Sequence, residues 1–138
     1  MREIKFRAFY KGKIYNVVEI DFACKTITLS DREDFGDEFD VELDEVELMQ
    51  FTGLKDKNRK EVFEGDIVEG YIDSFKVIGE IIFSNASFWF RPLRVPEDSG
   101  ISLRTHYGIP KKTVVIGNKF DNPELLKGGK NMWEDEEF

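Results

Sequence analysis

Carboxylates dominate the chemistry open to this chain. Ten of them stand between residues 31 and 50 (Asp31, Glu33, Asp34, Asp37, Glu38, Asp40, Glu42, Asp44, Glu45 and Glu47), against the single Arg32. Such oxygen density invites a hard cation, and Asp31-Arg32-Glu33-Asp34-Phe35-Gly36-Asp37 puts Gly36 at the sixth and Glu42 at the twelfth position of a calcium-type loop. Phe35 occupies a position that needs an oxygen ligand, Glu38 one that needs an apolar residue, and the flanks read as strands. The stretch is therefore expected to be a solvated acidic loop, and no metal or other cofactor is assigned. Cys24 and His106 are the one thiol and the one imidazole, so nucleophilic catalysis would require them to meet in space. Cys24 has no helix N-terminus to lower its pKa, and His106 lies in a loop context. No phosphate-binding glycine loop, dinucleotide fingerprint or histidine pair is present. Pairs such as Glu64 and Asp66 read as solvated strand residues. No active site is nominated, and the chain is expected not to be an enzyme.

The elements that carry these residues read as β-structure. A chain of 138 residues suits one domain or two small subdomains. Thirteen Phe, four Tyr and two Trp supply area to bury. Ile4, Phe6, Ala8 and Tyr10 alternate with Lys5, Arg7 and Phe9, as in a strand with one buried face. Lys11-Gly12-Lys13 reads as a turn, Ile14 to Ala23 as one or two strands, and Thr26 to Leu29 as another. Phe39, Val41 and Leu43 alternate, and Val46 and Leu48 resume one residue out of step, which predicts a bulge or corner near Asp44-Glu45. Thr52-Gly53 and the polar run Lys55 to Lys60 mark a subdomain boundary.

Beyond it, Asp66 to Ile72, Phe75 to Phe83 and Phe88 to Phe90 are expected as strands, with turns at Asp73-Ser74 and Ser84 to Ser87. Gly79 reads as a bend. Pro92, Pro96 and Glu97 to Gly100 read as an exposed loop, and Lys112 to Gly117 as a closing strand. Asn122-Pro123-Glu124-Leu125-Leu126-Lys127-Gly128 carries a helix signal: Asn as cap, Pro in the first turn, Gly at the end. The expected fold is mainly β, or β-rich α+β. An antiparallel N-terminal meander with an acidic loop (residues 1–53) precedes a small SH3-like barrel and a short helix (54–127), with a frayed tail (128–138).

The net charge is −8, and the acidic block accounts for −9 of it, so the rest of the chain is close to neutral. That balance discourages non-specific nucleic-acid binding but leaves room for a local basic face. A single cysteine excludes an internal disulfide and suits a reducing compartment. No apolar stretch approaches the ~20 residues of a membrane span. The first seven residues lack the apolar core of a signal peptide, so a cytoplasmic location is expected.

The stretch Met49-Gln50-Phe51-Thr52-Gly53-Leu54-Lys55-Asp56-Lys57-Asn58, continued by Glu61-Val62-Phe63-Glu64-Gly65-Asp66-Ile67-Val68, resembles the signature of the YopX family. Ile4-Lys5-Phe6-Arg7, Ile116-Gly117-Asn118 and Asn122-Pro123-Glu124-Leu125-Leu126 resemble its other landmarks, in the same order. Arg59 stands where the family usually has Gly, Phe63 where Tyr or Ile is common, and Phe9 where Trp often occurs, which predicts a different turn after Asn58. The resemblance implies a phage or prophage origin, an accessory role inside a bacterial host cell, and self-association. It implies no activity and no catalytic residues.

Within the central motif, Gly53, Asn58 and Gly65 read as turn residues, and Leu54, Val62, Ile67 and Val68 as core. The polar residues Gln50, Thr52, Lys55, Asp56, Asn58, Glu61 and Asp66 admit two roles: satisfying backbone groups in a corner, or forming a contact surface for a partner. The leading expectation is a protein-interaction or regulatory module that meets a protein partner or another copy of itself. The alternative is a nucleic-acid-binding module in which Trp89, Arg91, Arg94, Arg104, Lys111 and Lys112 stack bases and neutralise phosphates. Alternation sets Phe88 and Phe90 toward the core and leaves Trp89 and Arg91 outward.

Overall fold

A computed structural model describes residues 3–32 and 36–127. The chain divides into two compact units, Met1–Gly53 and Leu54–Phe138. The tail expected at 128–138 lies outside the described residues.

The first unit is built from β1 (Phe6–Tyr10), β2 (Lys13–Asp21), β3 (Thr26–Ser30), β4 (Phe39–Glu42) and β5 (Glu47–Lys55), all antiparallel, in the order β4-β3-β2-β1-β5. Lys11 and Gly12 both take positive φ, the two-residue turn whose twist matches a hairpin. Ile14 onward forms one strand rather than two, because a register shift between Val17 and Glu19 absorbs its irregularity. The slip near Asp44-Glu45 is a corner: a 3-10 turn over Leu43–Glu45, where the Glu45 carboxylate accepts the Glu42 N–H at 3.2 Å. Ala8, Ile27 and Leu29 are fully buried, and Tyr10, Tyr15, Val17, Phe39, Val41 and Leu48 pack round them. The rings of Tyr15 and Phe39 meet edge to face at 5.2 Å.

Past Gly53, β5 runs on through a turn at Asp56 into β6 (Glu61–Phe63), the sixth strand of that order. β7 (Asp66–Ile72), β8 (Phe75–Ser84), β9 (Ser87–Arg94) and β10 (Val114–Asn118) then form an antiparallel sheet in the order β10-β7-β8-β9. Both connecting hairpins use two residues at positive φ, Asp73-Ser74 and Asn85-Ala86. The sheet is covered on both faces. Val68, Val77, Ile81 and Phe90 pack against Ile101, Leu103, Tyr107 and Ile109 of the long loop, and Ile67, Ile78 and Leu93 against Leu125 and Leu126.

Several expectations for this unit are corrected. No closed barrel is found among the described residues: β10 and β9 end the hydrogen-bonded order. The third strand runs to Arg94 and includes Pro92, which is buried rather than part of an exposed loop. Proline is tolerated there because β9 is an edge strand, so no ladder bond depends on the missing N–H. Gly79 is required by close approach: a Cβ there would lie 2.5 Å from Phe90 and 2.6 Å from the Arg91 carbonyl, beside the register shift between β8 and β9. Leu54, expected in the core, is 47% exposed.

The C-terminal helix is one 3-10 turn over Pro123–Leu126. Asn122 makes no side-chain cap there, because its amide oxygen accepts the Asn118 N–H at 3.2 Å. No described helix is long and apolar enough to cross a membrane.

Candidate functional site

In the second unit, the polar residues of the central motif serve mainly as internal fasteners. Asp56 is only 7% exposed. One oxygen of its carboxylate accepts the N–H groups of Asn58 and Lys60, each at 2.8 Å, and the other accepts Val115 N–H at 2.9 Å. Burial pushes this carboxyl up, but the bonds from Val115, Lys60 and Asn58, with the charge of Lys60, outweigh it and hold the group below the ordinary value. With Lys57 N–H donating to the Thr113 carbonyl, Asp56 closes the outer edge of β10. Asp66 is 1% exposed and accepts Phe63 N–H at 2.8 Å.

Asp56 and Asp66 are thereby removed from any contact surface, because a buried carboxylate engaged by backbone N–H groups has no oxygen to offer a partner. Lys55 and Asn58 are exposed, and Glu61 is half-buried with interactions of its own. In the first unit, Gln50 and Thr52 are half-buried on β5, Gln50 opposite Phe6, and both are engaged. Arg59 adopts φ +68, the left-handed conformation that glycine accepts without strain.

The residues of the nucleic-acid alternative separate in the same way. Trp89 Nε1 donates to the Ser84 carbonyl at 2.8 Å, and Arg91 pairs with the buried Glu80 opposite it on β8. Both are half-buried and committed to the sheet, and Arg94 is also engaged. Arg104 is exposed on the long loop. Lys111 and Lys112 are exposed and, with Tyr71 and Ser74, line an open depression of about 630 Å³.

Cys24 is exposed, and the hydrogen bond between its thiol and Asp21 pushes the thiol pKa up, the opposite of what a nucleophile needs. His106 is exposed in the other unit. Among the described residues no group of three or more His, Cys, Asp or Glu is placed to hold a metal ion. Part of the calcium-type loop, Glu33 to Phe35, lies outside the described residues.

The first unit presents a surface of which sequence reasoning saw the acidic part and missed the aromatic one. Every described carboxylate from Asp31 to Glu47 is exposed. β4, at the end of its sheet, carries Asp40 and Glu42, and the corner after it carries Asp44 and Glu45. The β2–β3 turn lies at the same end: Thr26 pairs with Glu42, and Leu43 N–H donates to the Lys25 carbonyl at 2.8 Å. On that turn Phe22, expected inside a strand, is 75% exposed. Its only sequence signal is its place beyond the last alternating pair, next to Ala23-Cys24-Lys25. An aromatic ring standing in water beside a row of carboxylates can anchor a partner whose surface is basic.

The family model described as YopX protein matches residues 5–127. Among solved structures, the chain is similar to the crystal structure of protein EF1440 from Enterococcus faecalis, at 23% identity and a TM-score of 0.56, covering 91% of this chain and 99% of that one. That likeness concerns the fold alone. A search of curated proteins finds no match. With the signature strands, the Asp56 turn and the Asn118–Leu126 corner all inside the matched region, this chain belongs to the YopX family.

Proposed function

We propose that this protein is a non-catalytic interaction module of phage or prophage origin that acts in the cytoplasm of a bacterial host and binds a basic protein partner, with self-association as part of its behaviour. The observation that carries this reading is Phe22, exposed on a turn hydrogen-bonded to the acidic corner at Leu43–Glu45. Exposing a phenyl ring gives folding nothing, whereas at an interface it supplies a compact apolar anchor. The surrounding carboxylates steer a basic surface toward it and present a charge pattern akin to that of nucleic acid.

The test is an affinity pull-down from host lysate, with and without nuclease, comparing wild type, Phe22→Ala and the double variant Asp44→Lys/Glu45→Lys. Loss of one nuclease-resistant protein in both variants, with folding retained by circular dichroism, supports the reading. A partner set unchanged by either variant rejects it.

A further inference from the structure

We infer that the depression lined by Tyr71, Ser74, Lys111 and Lys112 is a binding site for a phosphate group carrying a planar base, either a nucleotide unit within a single strand or a free nucleotide. All four residues belong to the second unit. Two adjacent lysines enter the depression from the loop before β10, and neither makes an ion pair or hydrogen bond with a described residue. No carboxylate lines it among the described residues. Two like charges side by side, with no counter-ion among the described residues, do nothing for the fold but leave six ammonium N–H donors for an anion.

Tyr71 supplies the second half of the recognition. It sits on β7 opposite Lys76, 58% exposed, without a ring contact or hydrogen bond to a described residue. An exposed ring beside two lysines is the minimal pairing for a base and its phosphate, because any base can stack on it while the ammonium groups meet the charge. Ser74, on the β7–β8 turn at φ +71, adds a hydroxyl that can donate to a phosphate oxygen. At about 630 Å³ the depression falls in the size range of small-ligand sites. An acidic peptide would use the lysines and leave the ring idle, which favours the nucleotide.

The geometry also moves the nucleic-acid reading away from β9, where Trp89 and Arg91 are committed, to a place where the groups meet no partner among the described residues. Polyvalent anions in general would be drawn by Lys111 and Lys112, so the test must read the ring as well as the charge.

The experiment is fluorescence anisotropy of the full chain with a labelled twelve-residue deoxythymidine oligonucleotide across a salt series. Lys111→Glu/Lys112→Glu is expected to weaken binding more than tenfold and to reduce the slope of log affinity against log salt by about two. Tyr71→Ala is expected to weaken binding roughly tenfold with the slope unchanged. Arg104→Ala, outside the depression, is expected to change affinity less than twofold. Competition by adenosine monophosphate would assign the free nucleotide as ligand, and strand binding that resists it would assign the strand. The inference is overturned if wild type binds neither probe at about 50 mM salt, if the double variant binds as wild type does, or if polyglutamate displaces the strand while Tyr71→Ala binds normally. All four replacements are at exposed positions, and unchanged near-ultraviolet circular dichroism establishes that the three variants remain folded.

Discussion

The two units handle acidic side chains in opposite ways. Residues 1–53 hold thirteen acidic and seven basic residues, and every described carboxylate of the acidic block is exposed. Residues 54–127 hold eleven acidic and twelve basic residues, and there Asp56, Asp66 and Glu80 are buried. The first unit shows its charge to the solvent, whereas the second spends part of its charge internally, on backbone N–H groups and on Arg91. Net charge alone therefore misjudges both. A carboxylate matters for recognition when it keeps its hydration and its field, and for stability when it has exchanged water for fixed donors.

The sharpest way to break this contrast is to truncate one carboxylate in each unit. Asp56→Ala leaves three N–H groups without their acceptor and is expected to cost about 2–4 kcal/mol in a denaturant titration. Asp44→Ala, on the exposed corner, is expected to change stability by less than about 0.5 kcal/mol. Equal losses would dissolve the distinction. Next in size, Arg91→Ala strands the buried Glu80 carboxylate and is expected to cost about 1–2 kcal/mol, moderated because Arg91 is partly solvated.

Acidification gives a third measure. The Asp56 carboxyl is held below its ordinary value in the folded protein, so its contribution is fully present above the ordinary carboxylate pKa of about 4 and is lost as pH falls through the lower folded value. Wild type should therefore lose its advantage over Asp56→Asn as thermal unfolding is followed downward through that range. A constant difference between the two would contradict the assigned role.

The smallest effect sharpens the backbone side of the comparison. Arg59 and Ala86 both stand at positive φ in the second unit. Arg59→Gly and Ala86→Gly are each expected to stabilise by about 0.5 kcal/mol, the relief of left-handed strain slightly exceeding the added chain entropy. Melting curves that move down instead would mean that the side chain contributes more than the strain costs.

Much of the strand framework was legible because alternation reports burial directly. Phe6 to Tyr10, Thr26 to Leu29 and Asp66 to Ile72 each alternate or run apolar between turn formers, and each is a strand. The turns at Lys11-Gly12, Asp73-Ser74 and Asn85-Ala86 were legible from residue type. Pro92 misled, since proline argues for a loop unless its strand is known to be an edge, and edge status is a property of pairing. Asn122 misled because its side chain could serve either the following turn or the preceding backbone, and the bond to Asn118 N–H took it. Of the candidate surfaces, Lys111 and Lys112 were visible as basic residues, whereas Tyr71 and Phe22 were hidden inside apolar runs.

The sequence by itself determined the β class, the positions of the tight turns, the acidic first half and the family, because each of these depends on residue type, short-range order or motif. Tertiary structure alone decided what each polar group is for. Asp56, Asp66, Lys111 and Lys112 are all charged residues near turns, and nothing local separates them. Asp56 is a fastener because β10, far along the chain, brings Val115 N–H to its carboxylate, while Lys111 and Lys112 meet no acidic partner among the described residues. Which donors and acceptors meet is fixed by strand pairing over long sequence distances, and so only the folded chain divides its charges between stability and recognition.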